Sequence, residues 1–264
     1  MELIKSRRSV RTFKNKKLED DLKEKINLFL EGLEKEYSSK YKFPLIDLKL
    51  NGKIGTYGVI KDANAYIGGV LLENGNLIEL GYLFEKIIIY LTSLNLGTCW
   101  LGGTFKKLEF FESMNLKEGE KLIVVTPVGY EEKKMSLKEK SMRTLAQSDK
   151  RKDFDDVFFY EGLEPLYLND LGDFKDALEM VRIGPSASNK QPWRIIKIDN
   201  KFNLYLKRTP GYAKNLDYDI QLLDMGIAMY HFETSLKDKG LKGNWDKIKN
   251  PRDYDGLEYI ATWV

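Results

Sequence analysis

Apolar residues recur along this chain in two rhythms, and the changes of rhythm mark its elements. Leu18, Leu22, Ile26, Phe29, Leu30 and Leu33 fall at three- and four-residue steps with charges between them, which predicts a helix with one stripe on a core. A short helix over Leu3 to Ser6 precedes it and ends at an arginine cluster. Gly52, Gly55 and Gly58 punctuate a loop before the apolar run Ala65 to Leu72, a predicted strand closed by the turn Glu73-Asn74-Gly75-Asn76. From Leu77 to Asn95 the pattern is almost continuously apolar and contains Ile87-Ile88-Ile89, as expected of a helix central to its core. Leu122 to Val128 reads as a buried strand, and the lysine-rich stretch from Glu131 to Lys152 as a surface excursion.

The second half follows the same plan. A helix from Leu171 to Ile183 carries Phe174, Leu178 and Val181 and stops at Gly184-Pro185, because the residue before proline is pushed out of the helical region. Arg194 to Ile198 and Asn203 to Lys207 alternate as a hairpin around Asn200-Lys201, a helix follows from Leu216 to Lys239, and Tyr259 to Val264 is β-rich. At one constant spacing Leu77 matches Leu222, Gly81 matches Gly226, Leu91 matches Leu236, Leu96 matches Leu241 and Trp100 matches Trp245. Ile78, Glu79 and Leu80 face the similar Leu223, Asp224 and Met225, and Phe13 faces Phe158, which reads as an internal duplication with halves 1–145 and 146–264.

Composition narrows the classes. At 264 residues and 42% hydrophobic content the chain can bury a substantial core. Its net charge of +3, from 43 basic and 40 acidic residues, gives no ground for nucleic-acid or membrane partners. No stretch approaches the roughly 20 apolar residues that span a bilayer, and the charged start lacks a signal-peptide pattern, so a cytoplasmic location is the expectation. Cys99 and His231 are each the only residue of their kind. They leave no cluster of soft metal ligands, and both sit in apolar runs that predict packing roles.

Three segments could hold an anionic, planar cofactor. Arg7-Arg8-Ser9-Val10-Arg11 offers guanidinium forks for a phosphate dianion around a hydroxyl donor; by itself it also fits a solvated basic cluster. In Leu96 to Phe105, Gly102-Gly103 would let backbone approach a flat ring, or make a plain turn. Pro185-Ser186-Ala187-Ser188-Asn189-Lys190-Gln191-Pro192-Trp193 puts compact donors behind a proline, or is a capped helix exit before a buried tryptophan.

Taken together these segments resemble the FMN site of the nitroreductase family, flavin oxidoreductases that pass electrons from NAD(P)H to small electron-poor acceptors. The resemblance implies an α+β nitroreductase-like fold, with mostly antiparallel sheets flanked by helices. In that family the arginine and proline-serine segments lie close in sequence and meet across a dimer interface, whereas here they are far apart in one chain. The chain is therefore expected to be a fused pseudo-dimer, a monomer with one flavin assembled between its halves. By resemblance Arg7 and Ser9 would hold the phosphate and ribityl end, Arg8 is counted with them among the cofactor-binding residues, and Arg11 would lie near flavin N1 and the C2 carbonyl. Gly102 and Gly103 would face N5 and O4, and Pro185, Ser186, Ala187, Ser188 and Asn189 would contact the ring side and ribityl chain. Arg143, after Pro127-Val128-Gly129-Tyr130 and Lys140, is the expected second phosphate cation.

Each half lacks the other's part. The arginine cluster maps onto Lys152-Asp153-Phe154-Asp155-Asp156, whose aspartates repel phosphate, Asp246-Lys247 stand where the glycine pair would be repeated, and Glu36-Tyr37-Ser38-Ser39 replaces a proline-serine segment. The implied activity is ping-pong transfer from NADH or NADPH, through flavin N5, to a small nitroaromatic or quinone-type acceptor, with no essential side-chain acid or base. The alternative is a flavin-binding or sensing protein without turnover. Phe43, Tyr57 and Tyr212 are among several candidates for the acceptor side.

Overall fold

The chain folds as two units, each built on its own sheet: Ser6–Leu145, and Ala146–Val264 together with Met1–Lys5. The computed structural model describes residues 1–50, 52–132, 150–167, 169 and 171–264. The predicted lysine-rich excursion therefore lies largely outside the described residues.

Helix α1 (Glu2–Ser6) leads to the arginine cluster. Helix α2 (Asp20–Glu36) opens with Asp20 and Asp21, which complement the partial positive charge of a helix start, and buries Ile26, Leu30 and Leu33 as the spacing predicts. Strands β1 (Tyr41–Lys42), β2 (Leu45–Asp47) and β3 (Ala65–Leu71) follow. Helix α3 (Leu77–Ser93) starts where Asn76 Oδ1 accepts the Glu79 amide at 2.9 Å, and it buries Leu80, Leu83, Phe84, Ile87, Ile88 and Leu91. Then come β4 (Gly97–Thr98), α4 (Lys107–Ser113) and β5 (Lys121–Gly129). The five-stranded sheet runs β1-β3-β5-β4, with β2 also on β3 and every pairing antiparallel.

Two contacts tie these helices to their surroundings. Phe29 stacks on Tyr90 with centroids 3.9 Å apart, joining α2 to α3. A side chain at Gly69 of β3 would meet Val124 Cγ1 at 2.6 Å and Phe84 Cδ2 at 3.0 Å, so the bare backbone there lets α3 settle on the sheet.

The second unit carries β6 (Phe158–Tyr160), α5 (Phe174–Arg182), β7 (Trp193–Ile198), β8 (Lys201–Leu206), α6 (Ile220–Asp238), β9 (Trp245–Asp246) and β10 (Glu258–Trp263). Its sheet runs β6-β7-β8-β10-β9, with β6 parallel to β7 and the rest antiparallel. Helix α6 begins later than the apolar pattern suggests, because Asp219 caps it by accepting the Gln221 amide at 3.0 Å. Helices α5 and α6 pack together over an aromatic group in which Phe232 lies 5.5 Å from Phe202, 5.3 Å from Trp245 and 5.6 Å from Trp263, ring centre to ring centre.

Phe232 is fully buried. Replacing it with alanine removes that packing, and Phe232→Ala should lower stability by about 3–5 kcal/mol, read from the urea midpoint of the full chain. A loss under 1 kcal/mol would contradict this packing.

Candidate functional site

In the first unit the arginine segment is sewn to its surroundings by backbone hydrogen bonds. Ser9 forms a parallel bridge with Thr98, and the Val10 amide donates to Thr98 O at 2.8 Å. Lys61 N donates to Arg11 O at 2.8 Å, Phe13 N to Lys61 O at 3.0 Å, and Lys14 N to Tyr130 O at 2.8 Å. A side chain on Gly97 would stand 3.0 Å from Val10 Cβ, so glycine at this position lets the two segments lie flush. Val10 and Phe13 are core residues, which fixes the height of Arg11 between them.

The three arginines differ. Arg8 is exposed and pairs with Glu131. The Arg7 side chain is only 8% exposed, and its Nε lies 4.0 Å from Oε1 of the fully buried Glu85, too far for a hydrogen bond. Glu85 instead accepts Trp100 Nε1 at 2.7 Å. Arg7 Nε, Arg11 Nε and Arg11 Nη1 are buried without a hydrogen-bond partner among the described residues. Native interiors rarely leave such donors unmet, and each costs about 1–3 kcal/mol. Arg7, Ser9 and Arg11, at alternate positions of the segment, therefore present a donor set suited to an anion.

Gly102 and Gly103 follow Leu101, whose N–H and carbonyl both bond Val125 at 3.0 Å, so this turn leaves the sheet beside the strand that bridges Ser9. Arg143 and Lys140 lie outside the described residues. Phe43 is 1% exposed and belongs to the core, whereas Tyr57 is exposed. Cys99 and His231 are buried, the His231 Nδ1 lying 2.8 Å from Met180 O, in keeping with packing roles. Among the described residues no three or more His, Cys, Asp or Glu are grouped to hold a metal, and no helix is long and apolar enough to cross a membrane.

In the second unit Pro185 to Asn189 leaves α5 and turns tightly, with Ala187–Asn189 as a single 3₁₀ turn. Ser188, Asn189 and Gln191 all take left-handed backbone conformations, with φ of 47°, 54° and 49°. Each is strained for a side chain of that kind, and the turn persists because its neighbours over-determine it. The Gln191 amide donates to Ser186 Oγ at 2.9 Å, Asn189 Nδ2 to Lys150 O at 2.7 Å, and Arg151 Nη1 and Gln191 Nε2 to Asn189 Oδ1 at 3.2 and 3.1 Å. Tyr212 donates to Ser188 Oγ at 2.9 Å.

One residue of this turn's support escaped the sequence reading. Asp224 of α6 accepts the Ala187 amide on Oδ1 at 2.9 Å, while its buried Oδ2 has no partner among the described residues. Burial pushes its carboxyl well above the ordinary carboxylate range, against the Ala187 amide that pulls it down, with Asp219 adding to the rise. An acid within the apolar run of α6 was the available signal.

The chain belongs to the family described as "Putative TM nitroreductase", whose profile matches residues 1–236. Its fold is similar to that of a "putative nitroreductase" from Thermotoga maritima, with a TM-score of 0.59 and 20% identity over 99% of this chain and 90% of that one. A nitroreductase with bound FMN from Bacteroides fragilis matches at a TM-score of 0.41 and 18% identity, over 52% of this chain and 90% of that one. "Putative NAD(P)H nitroreductase acg" of Mycobacterium tuberculosis is 32% identical over 80 residues, 30% of this chain and 24% of that protein. The match thus spans about a quarter of that relative's length.

Asp224 gives a stability test with a definite sign. Its pKa is higher folded than unfolded, so ionisation favours unfolding, and stability falls as pH rises from the ordinary carboxylate range toward the folded value. Asp224→Asn keeps an acceptor for Ala187 and cannot ionise. The variant should melt higher than the parent at neutral pH, and the difference should close below roughly pH 4. A difference independent of pH would refute the raised carboxyl.

Proposed function

We propose that this chain is an FMN-dependent oxidoreductase that passes electrons from NADH or NADPH to a small electron-poor acceptor of the nitroaromatic or quinone type, by a ping-pong scheme. The reading rests above all on Arg7 and Arg11, whose buried nitrogens lack hydrogen-bond partners among the described residues. A phosphate dianion and a carbonyl-rich ring edge offer the acceptor oxygens that such guanidinium forks match. Membership of a nitroreductase family supports the same reading.

In this reading Arg7, Ser9 and Arg11 hold the phosphate, ribityl and pyrimidine end of FMN, and the Gly102 and Gly103 backbone borders the ring. Pro185, Ser186, Ala187, Ser188 and Asn189 contribute from the second unit. FMN when bound supplies a reversible two-electron carrier. The chain's part is to bind and orient it and to tune it, since a cation at Arg11 stabilises the anionic reduced form and raises the potential. Asn189, whose carboxamide is engaged with Lys150, Arg151 and Gln191, contributes first by fixing the turn.

We further propose that the two units arose by internal duplication and that the chain works as a monomer with one flavin. Similar strand order supports this. In each sheet the strand before the long helix, β3 or β8, pairs with the last strand, β5 or β10, which carries a two-residue edge strand, β4 or β9. The long helices end at Ser93 and Asp238, in step with the sequence repeat. The arginine and proline-serine segments fall in different units.

Flavin fluorescence titration of the full chain tests the site. Arg11→Gln removes charge-assisted bonds worth roughly 1.5–3 kcal/mol and should weaken FMN binding about 10- to 100-fold. Arg8→Gln, which alters the exposed pair with Glu131, should change it less than about threefold. Equal losses in both variants would oppose the assignment. Anaerobic NADH or NADPH should bleach the bound flavin, and flavin that stays oxidised would point to a binding protein without turnover.

A further inference from the structure

Near the proline-serine turn, a second group of cations gathers that the flavin reading does not use. Lys152 Nζ and Arg194 Nη1 both donate to one oxygen, Gln191 O, at 3.4 and 3.1 Å. The Lys152 amide also reaches Gln191 Oε1 at 2.8 Å, and Arg194 Nη1 bonds Trp193 O at 2.6 Å. The Lys207 amide is tied to Pro192 O at 2.8 Å, so Lys207 rises from the same patch, and Lys190 Nζ lies 5.6 Å from the centre of the Tyr212 ring. Arg194 is only 6% exposed, Lys152 and Lys190 are half-buried, and Lys207 stands at the exposed rim.

A buried charge such as Arg194 is normally paired. Among the described residues none of these four cations forms an ion pair, and Asp156 acts on Lys152 and Arg194 only at longer range. We infer that Lys152, Lys190, Arg194 and Lys207 form a binding site for a phosphomonoester dianion. A dianion with three terminal oxygens can accept from several donors at once, which a single carboxylate does less well, and Arg194 beside Lys152 keeps guanidinium N–H groups beyond the Nη1 that bonds the Gln191 and Trp193 carbonyls. The inference stands on the second unit alone and does not depend on the flavin.

The charge balance has a measurable consequence. Burial, Arg194, Lys207 and Lys190 push the Lys152 ammonium down to about 8, with Asp156 pulling the other way. A bound dianion favours the charged ammonium and raises that value. Binding slightly above pH 8 must then take up protons, and a solvated surface patch would show no such linkage.

Calorimetric titration of the full chain with inorganic phosphate, in two buffers of different ionisation enthalpy slightly above pH 8, tests this. Saturable binding with proton uptake is expected. Lys152→Gln should weaken it roughly tenfold and abolish the uptake. Lys207→Gln, at the rim, should weaken it about threefold and serves if the first variant does not fold. Adenosine 2′,5′-bisphosphate and AMP identify the source of the phosphate. Tenfold tighter binding of the 2′-phosphate would assign the site to a 2′-phosphorylated dinucleotide, whereas parity of all three ligands would assign it to free phosphate. Absence of saturable binding would overturn the inference, as would binding that survives both lysine variants and disappears in Arg11→Gln.

Discussion

Everything proposed for the first unit depends on how the backbone from Ser9 to Lys14 is fastened. Its amides and carbonyls bond in turn to Thr98, Lys61 and Tyr130, and Val10 closes on the bare backbone of Gly97. That attachment uses main-chain groups, which leaves the side chains at alternate positions to chemistry. Arg7, just before this stretch, and Arg11, within it, keep buried nitrogens without a hydrogen-bond partner among the described residues. A loop able to relax would not keep such donors unsatisfied, because the cost recurs with each of them. The sewn segment is therefore what would let a basic cluster serve the anion-binding role proposed for it.

The second unit solves a related problem by other means. Three left-handed demands within four residues, at Ser188, Asn189 and Gln191, are met without glycine. Carboxamides and a hydroxyl supply the restraint: Gln191, Asn189 and Ser186 bond one another, and Asp224 holds Ala187 from α6. A buried acid whose pKa is raised gives that hold at some cost in stability above the ordinary carboxylate range. Strain of this kind belongs where a conformation serves binding more than folding.

Much of this was legible in the residues. The continuous apolar run after Asn76 and the stripe on α2 fixed two helices to within a few residues, because burial on most faces or on one face leaves distinct periodicities. Longer strands were found for the same reason. The short strands β1, β2, β4, β6 and β9 were not, since two or three residues of edge pairing leave no pattern, and neither was the two-turn helix α4. The repeat was visible in α3 and α6 but not in the strands, whose spacing between units differs from that of the helices. Local motifs located the arginine and proline-serine segments. They could not distinguish Arg8, turned to Glu131, from Arg7 and Arg11, nor foresee that Asp224 and the Lys152 group converge on the turn, because those relations exist only once distant elements meet.

We propose that the chain holds one flavin, with Arg7 and Arg11 among its cations. Native mass spectrometry of the full chain, loaded with FMN and freed of excess, tests it most directly. A monomer carrying one FMN is expected. Two flavins per chain, one flavin held only by a dimer, or a chain that retains none would contradict it.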